Sequence, residues 1–153
     1  MEPTHSESLD WAVRLFVYRS IVENERPPTI IETADGLQLD PSRARTAYER
    51  LHERHALFLE PGTLTVRMAH PFSGVPTPVR VYTNGHTYWA NCAWDALGIP
   101  AMLRANATTE ATCGGTREAI LLRVEEGDRV LGHRELVHFA LPFRRWYEDL
   151  IFT

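Results

Sequence analysis

Apolar residues recur at helical spacing near the start of the chain. Between Leu9 and Val22 the apolar positions 9, 12, 13, 16 and 17 fall on one side of a helix, and charged residues take other positions. This is the pattern of an amphipathic helix. The helix is expected to end at Arg26-Pro27-Pro28, because a residue that precedes proline avoids the helical conformation.

Two further helices are predicted by their end signals. Residues 29–35 form the second helix, and Gly36 closes it, since glycine readily adopts the left-handed conformation that ends many helices. Asp40 is a favoured N-cap and Pro41 a favoured first helical residue. Residues 42–55 therefore form the third helix.

The pattern changes after residue 55. Residues 56–68 are predicted to form two β segments around the Pro61-Gly62 turn. Three helices followed by a hairpin indicate a winged-helix-like lobe over residues 1–68, and residues 69–153 are expected to form a second lobe.

The second lobe is predicted to be a small mixed β-sheet that carries one helix. Asn84-Gly85 lies between two strand-like segments and is a strong hairpin signal. A helix follows Asn91, and Pro100 is expected to begin a fresh helical turn. The remaining predicted elements are an ordered loop over residues 71–78, strands over 78–83, 87–90, 107–112, 118–124 and 137–140, turns at Gly114-Gly115 and Gly127-Asp128, and a short amphipathic helix over 142–149. The predicted fold class is α+β.

Composition limits the classes of function. The chain has 153 residues, of which 44% are hydrophobic and 24% charged, and its net charge is −4. No apolar run approaches the roughly 18 residues that a membrane span requires, and residues 1–7 are too acidic and polar for a signal peptide. We therefore expect a cytoplasmic protein with no membrane partner. The negative charge disfavours nucleic acid as the main partner.

The segment from Tyr88 to Leu103 carries the candidate chemistry. Asn91 is a plausible N-cap, which would place Cys92 in the first helical turn, where the helix dipole favours thiolate over thiol. Asp95 lies three residues further on and shares the same face. A soft nucleophile and a carboxyl that carries a proton could thus face one small ligand. The alternative from spacing alone is a buried structural cysteine and an aspartate that only offsets the helix dipole.

The third predicted helix offers two rival sites. His52 and His55 could form half of a metal site, but no third ligand is near in sequence, so surface histidines are the expected reading. Its arginines favour a DNA-reading winged helix, although residues 1–68 contain more acids than bases. These arginines are Arg43, Arg45, Arg50 and Arg54. The alternative function is a non-catalytic winged-helix regulator, or a thiol-based metal-sensing or metal-binding protein with Cys92 as the sensor.

Residues 88–101 resemble the active-site segment of the alkylmercury lyases. The sequence pattern that they share with it is Tyr-x-x-Asn-Cys-Ala-x-Asp-Ala-Leu-x-x-Pro-Ala. Residues 70–80, Cys113-Gly-Gly and residues 145–153 are similar to stretches of that family in the same order. The resemblance covers most of the chain from about residue 60.

The resemblance implies cleavage of a carbon–mercury bond by protonolysis. Mercury is a soft cation that prefers thiolate ligands. Cys92 matches a catalytic thiol and Asp95 the carboxyl that handles the proton, so both would contact mercury as substrate or product. Cys113 matches a cysteine regarded as structural. No organic cofactor is implied, but small exogenous thiols are expected as partners.

A second catalytic cysteine is also implied by the resemblance. One alignment places it directly after Thr153, where the given sequence stops, and another places it at Arg134; neither supplies a thiol. A truncated lyase, a diverged relative and a thiol-based binding protein remain open. If the first alignment holds, Thr153 is expected on the order of 10 Å or less from Cys92.

Overall fold

The structure is a computed structural model, and it describes residues 5–131, 136–139 and 141–148. The chain divides into two compact units, residues 1–76 and 77–153. Helices and antiparallel strands occur in both halves of the sequence, which confirms the α+β prediction. Among the described residues, no helix is both long and apolar enough to cross a bilayer.

Unit one contains the three predicted helices and three short strands. Its elements are α1 (His5–Asn24), α2 (Ile30–Leu37), α3 (Pro41–Glu53), β1 (Phe58–Leu59), β2 (Val66–Ala69) and β3 (Phe72–Ser73). The predicted N-cap of α3 is confirmed, since the carboxylate of Asp40 accepts a 2.8 Å hydrogen bond from the Ser42 amide. The winged-helix assignment stays a prediction.

The predicted end of the second helix is wrong. Gly36 lies inside α2, and Gln38 adopts the left-handed conformation after it, with φ of 53°. A Cβ atom added at Gly36 would lie 2.3 Å from the ring of Phe16 on α1. Glycine at this position therefore leaves room for the Phe16 ring of the neighbouring helix, which local sequence does not reveal.

The buried core of unit one joins α1, α2 and α3. Its members include Val13, Val17, Ile21, Ala34, Ala44, Ala47, Tyr48 and Leu51. The Tyr48 hydroxyl lies 2.8 Å from the Thr33 hydroxyl, which gives a buried polar group the partner it requires. This packing fixes the three helices against one another.

A strand occurs in the segment that was predicted to be only a loop. The turn at Pro61-Gly62 is found between β1 and β2, and β3 then pairs antiparallel with β2, with Met68 opposite Ser73. The prolines and the glycine of the segment flank the two residues of β3, Phe72 and Ser73. Phe72 is completely buried, so tertiary packing holds the short strand in place.

Unit two is an antiparallel sheet with one long helix. Its elements are β4 (Val79–Thr83), β5 (His86–Ala90), α4 (Ala93–Leu103), β6 (Ala107–Thr112), β7 (Ala119–Glu125), β8 (Arg129–Leu131) and a 3₁₀ helix (Phe143–Glu148). The strand order is β5-β4-β6-β7-β8. All pairings described within the two units are antiparallel, whereas a mixed sheet was expected.

The hairpin that precedes α4 is confirmed. Asn84 and Gly85 have φ values of 53° and 80°, the left-handed pair that a tight hairpin turn requires. Val79 pairs with Ala90 at the open end of this hairpin. The hairpin therefore delivers the chain directly to the start of α4.

α4 continues through Pro100, so the predicted break at that residue is wrong. Proline removes one helical hydrogen bond, but Pro100 is fully buried and the helix ends only a few residues later at Leu103, with Arg104 as its C-cap. The carbonyl of Pro100 still accepts a hydrogen bond from Ala105, at 3.2 Å. One lost bond at a buried position near the end does not interrupt the helix.

The last third of the chain differs from the prediction in three places. Strand β8 was not predicted; it pairs antiparallel with β7, with Val130 opposite Val124. Residues 137–139 form no strand, and residue 140 lies outside the described residues. The predicted helix over 142–149 is a 3₁₀ helix over the part that is described.

Candidate functional site

The candidate site forms where β5 passes into α4. Cys92 is the N-cap of α4, with φ of −150° and ψ of 178°. The prediction that Asn91 caps the helix and that Cys92 lies in its first turn is therefore wrong by one residue. The extended conformation of Cys92 lets the chain turn from the sheet into the helix, and α4 then packs on β4, β5 and β6.

Asp95 lies one turn into α4 and meets two donors. Only 6% of Asp95 is exposed. The Cys92 thiol donates to Asp95 Oδ2 across 3.8 Å, and Asn91 Nδ2 donates to the same oxygen across 3.2 Å. The structure thus brings together the two residues that the sequence singles out, and it adds Asn91 to them.

The environment of Cys92 keeps its proton on sulfur. Burial raises the pKa of the Cys92 thiol, and the neighbouring carboxylate of Asp95 raises it further, since ionisation would put two negative charges together. The backbone N–H groups of Asp95 and Trp94 act in the opposite direction but do not prevail. The prediction that the helix start would lower this pKa is wrong, because it ignored burial.

Cys113 has the opposite environment. It lies directly after β6, in the turn to β7, and its sulfur accepts a 3.5 Å hydrogen bond from the Thr116 amide. The side chain of Thr116 and the backbone N–H groups of Thr116 and Gly115 lower the pKa of the Cys113 thiol. Sequence reasoning missed this site, although a cysteine followed by Gly-Gly-Thr signals a turn in which N–H groups can face sulfur.

Comparison with known protein families gives a match that covers the candidate site. A model of the alkylmercury lyase family matches residues 72–150, slightly more than half of the chain. The chain belongs to the alkylmercury lyase family. The matched region includes Cys92, Asp95 and Cys113.

A solved structure supports the fold of this family member. The crystal structure described as the mercury-bound form of MerB2 matches with a TM-score of 0.63 and 19% sequence identity, over 84% of this chain and 61% of that one. The chain therefore spans less than two thirds of the length of that protein. No curated protein matches the chain.

The resemblance implies two alternative positions for a second catalytic cysteine. Both predicted positions, Arg134 and the position after Thr153, fall at or beyond residues outside the described ranges. The expected distance between Thr153 and Cys92 therefore stays a prediction.

A groove of about 320 Å³ borders the outer face of α4. The helix contributes Trp94, Leu97, Gly98 and Ala101 to its lining, and β7, β8 and the turn between them contribute the rest. These four positions recur at helical spacing, whereas Asp95 lies on the buried side of the helix. In this family member the groove is thus separate from the thiol and the carboxyl.

His52 of α3 and His55, which follows the helix, serve packing and hydrogen bonding in unit one. His52 Nδ1 accepts a 3.3 Å hydrogen bond from the Leu59 amide, and the His55 ring stacks on Phe58 with 5.7 Å between centroids. Across the described residues, no three histidine, cysteine or acidic side chains are grouped to hold a metal ion. The two histidines thus join α3 to β1.

Arg50 of α3 and Arg54, the C-cap of that helix, have partners within unit one. Arg50 Nε donates to both carboxylate oxygens of Asp10, at 3.1 and 3.0 Å, and Arg54 forms a 3.5 Å ion pair with the same carboxylate. Asp10 is almost fully buried. These two charges neutralise a buried acid, which weakens the case for a DNA-reading helix.

Proposed function

We propose that this protein is an alkylmercury lyase that captures an organomercurial on Cys92 and protonates its carbon from Asp95. The observation that carries this proposal is the contact of the Cys92 thiol with Asp95 Oδ2 across 3.8 Å. Membership of the alkylmercury lyase family supports it. The second support is chemical, because the pair combines a soft ligand with a carboxyl able to hold a proton.

Capture begins from a protonated thiol. Because burial and the Asp95 carboxylate raise the pKa of Cys92, the incoming mercury must displace a proton. Mercury favours sulfur over oxygen ligands. The S–H bond breaks as the S–Hg bond forms, the proton passes to Asp95 Oδ2, and the ligand that accompanied the organomercurial leaves.

Protonolysis uses the proton gained in capture. Asp95 is then a carboxylic acid beside the captured group, and its proton passes to the carbon bound to mercury. The electron pair of the C–Hg bond becomes the C–H bond, the hydrocarbon departs, and Asp95 is again a carboxylate. Mercury(II) stays on Cys92. General acid catalysis of this kind contributes roughly 10²–10⁴-fold to a rate.

A small exogenous thiol completes the cycle. As a thiolate it supplies mercury with a second sulfur ligand, which pushes electron density toward carbon before protonation. A further thiol then removes mercury(II) from Cys92 as a thiolate complex and returns a proton to the cysteine. No organic cofactor enters these steps.

Hydrocarbon release tests the proposal. The protein is incubated anaerobically with phenylmercuric acetate and excess small thiol, and benzene is measured by gas chromatography. We expect benzene from the wild type and none above background from Cys92→Ser. Absence of benzene with the wild type, or an equal yield from Cys92→Ser, would contradict the proposed function.

A further inference from the structure

Asn91 makes a contact that the capture chemistry does not use. It is half buried between β5 and α4, and its Nδ2 donates to Asp95 Oδ2 across 3.2 Å. The Cys92 thiol approaches this same oxygen, at 3.8 Å. One carboxylate oxygen therefore receives both the amide and the thiol.

The shared oxygen restricts the orientation of the carboxyl group. A carboxylate oxygen offers two lone-pair directions. The Asn91 amide donates to Oδ2 and so restricts rotation of the carboxyl, and the Cys92 thiol approaches the same oxygen. In this way Asn91 selects which oxygen of Asp95 handles the proton.

The amide hydrogen bond also changes in strength during the reaction. A donor that bonds to a carboxylate stabilises the ionised form. When Asp95 gives its proton to carbon, negative charge returns to the carboxyl, and the Asn91 hydrogen bond strengthens as this charge develops. An interaction that is stronger in the transition state than before it accelerates the step.

We propose that Asn91 is a positioning residue that directs and promotes proton donation by Asp95. The inference rests on the proposed function, since it assigns a role within the same reaction. Without the Asn91 amide, Asp95 can still accept the thiol proton, so capture by Cys92 should change little, whereas donation of that proton to carbon should slow.

A single-turnover experiment separates the two steps. Asn91→Asp keeps the size of the side chain but removes the donor, and Asn91→Leu removes the donor without adding charge. Capture of phenylmercuric acetate is measured as loss of the free Cys92 thiol. We expect its rate in both variants to stay within about twofold of the wild-type rate. Benzene release should slow roughly tenfold to a hundredfold, the range expected for a hydrogen bond to a charged group.

Controls distinguish positioning from a structural role. Asn24→Asp makes the same chemical change at an exposed residue of unit one and should alter neither step. Asn91→Gln retains a donor and should release benzene faster than Asn91→Leu. Thermal unfolding shows whether each variant folds. If either Asn91→Asp or Asn91→Leu fails to fold, the benzene release of the other one tests the proposal.

The outcomes are distinct. Release at the wild-type rate in the Asn91 variants, or an equal loss of capture and release, overturns the role of Asn91. A wild type that captures the mercurial but releases no benzene refutes the proposed function, and the inference about Asn91 falls with it. Failure of the proposed function is therefore detected with the wild-type protein alone, and failure of the Asn91 role only with the variants.

Discussion

Cys92 and Cys113 each follow a strand of the same sheet, yet their surroundings differ in kind. After β5 the chain enters α4, and the Cys92 thiol is held between the protein interior and the Asp95 carboxylate. After β6 the chain enters a turn, and N–H groups surround the sulfur of Cys113. The pKa is raised at Cys92 and lowered at Cys113.

The difference between the two cysteines separates the reactivity of a thiol from its ability to supply a proton. A lowered pKa makes a thiol reactive toward electrophiles in general. Protonolysis also needs a proton at the captured carbon, and a thiol that keeps its proton beside a carboxylate can deliver one. The less ionised cysteine is therefore the better candidate for the lyase reaction.

The largest effect is expected from removal of the proton carrier. Asp95→Asn should leave capture of phenylmercuric acetate by Cys92 intact, because the thiol is still present and its proton can pass to water in place of the carboxylate. Benzene release should fall roughly 10²–10⁴-fold, since an amide cannot carry the proton. Single-turnover gas chromatography beside a thiol assay measures both steps. Release near the wild-type rate would remove Asp95 from the mechanism.

A smaller effect is expected when the two thiols compete for an alkylating agent. With limiting iodoacetamide near pH 7, Cys113 should be modified before Cys92, by roughly tenfold for each unit that separates their pKa values. Peptide mapping by mass spectrometry gives the ratio. Cys113→Ser should abolish the fast phase and keep the slow one. Faster modification of Cys92 in the wild type would show that its buried thiol ionises more readily than its surroundings indicate.

The sequence predicts those elements whose causes are local. The Asp40 cap with Pro41 after it, and the Asn84-Gly85 turn, depend on residues within a few positions, and the structure has them as predicted. Gly36 shows the limit. Its role depends on Phe16, twenty positions earlier in the chain, and no local signal connects the two.

The candidate site was predicted in part for the same reason. Helical spacing was enough to bring Cys92 and Asp95 together, because they lie within one turn. The direction of the Cys92 pKa was missed, since it depends on how deeply packing against the sheet buries the thiol. The contact of Asn91 with Asp95 was missed because Asn91 was expected to cap the helix, and a shift of the cap by one residue frees its side chain for the carboxylate.

The smallest effect concerns the share of the carboxylate in the raised pKa of Cys92. In a Cys113→Ser background, Asp95→Asn removes the negative charge beside the thiol, so ionisation becomes easier and the pKa of Cys92 should fall. Because burial is the larger cause, the pKa should stay above its ordinary value. The alkylation rate of Cys92 at pH 8 should rise about twofold to tenfold.

The pH profile of alkylation tests this expectation from both sides. Its midpoint should move to lower pH in Asp95→Asn and stay unchanged in Glu118→Gln, which removes a charge near Cys113 instead. A midpoint that does not move in Asp95→Asn would mean that the carboxylate has no part in holding the thiol proton. A midpoint as low as that of Cys113 in the wild type would mean that the carboxylate, and not burial, is the main cause. Either result would require a different account of why the two thiols differ.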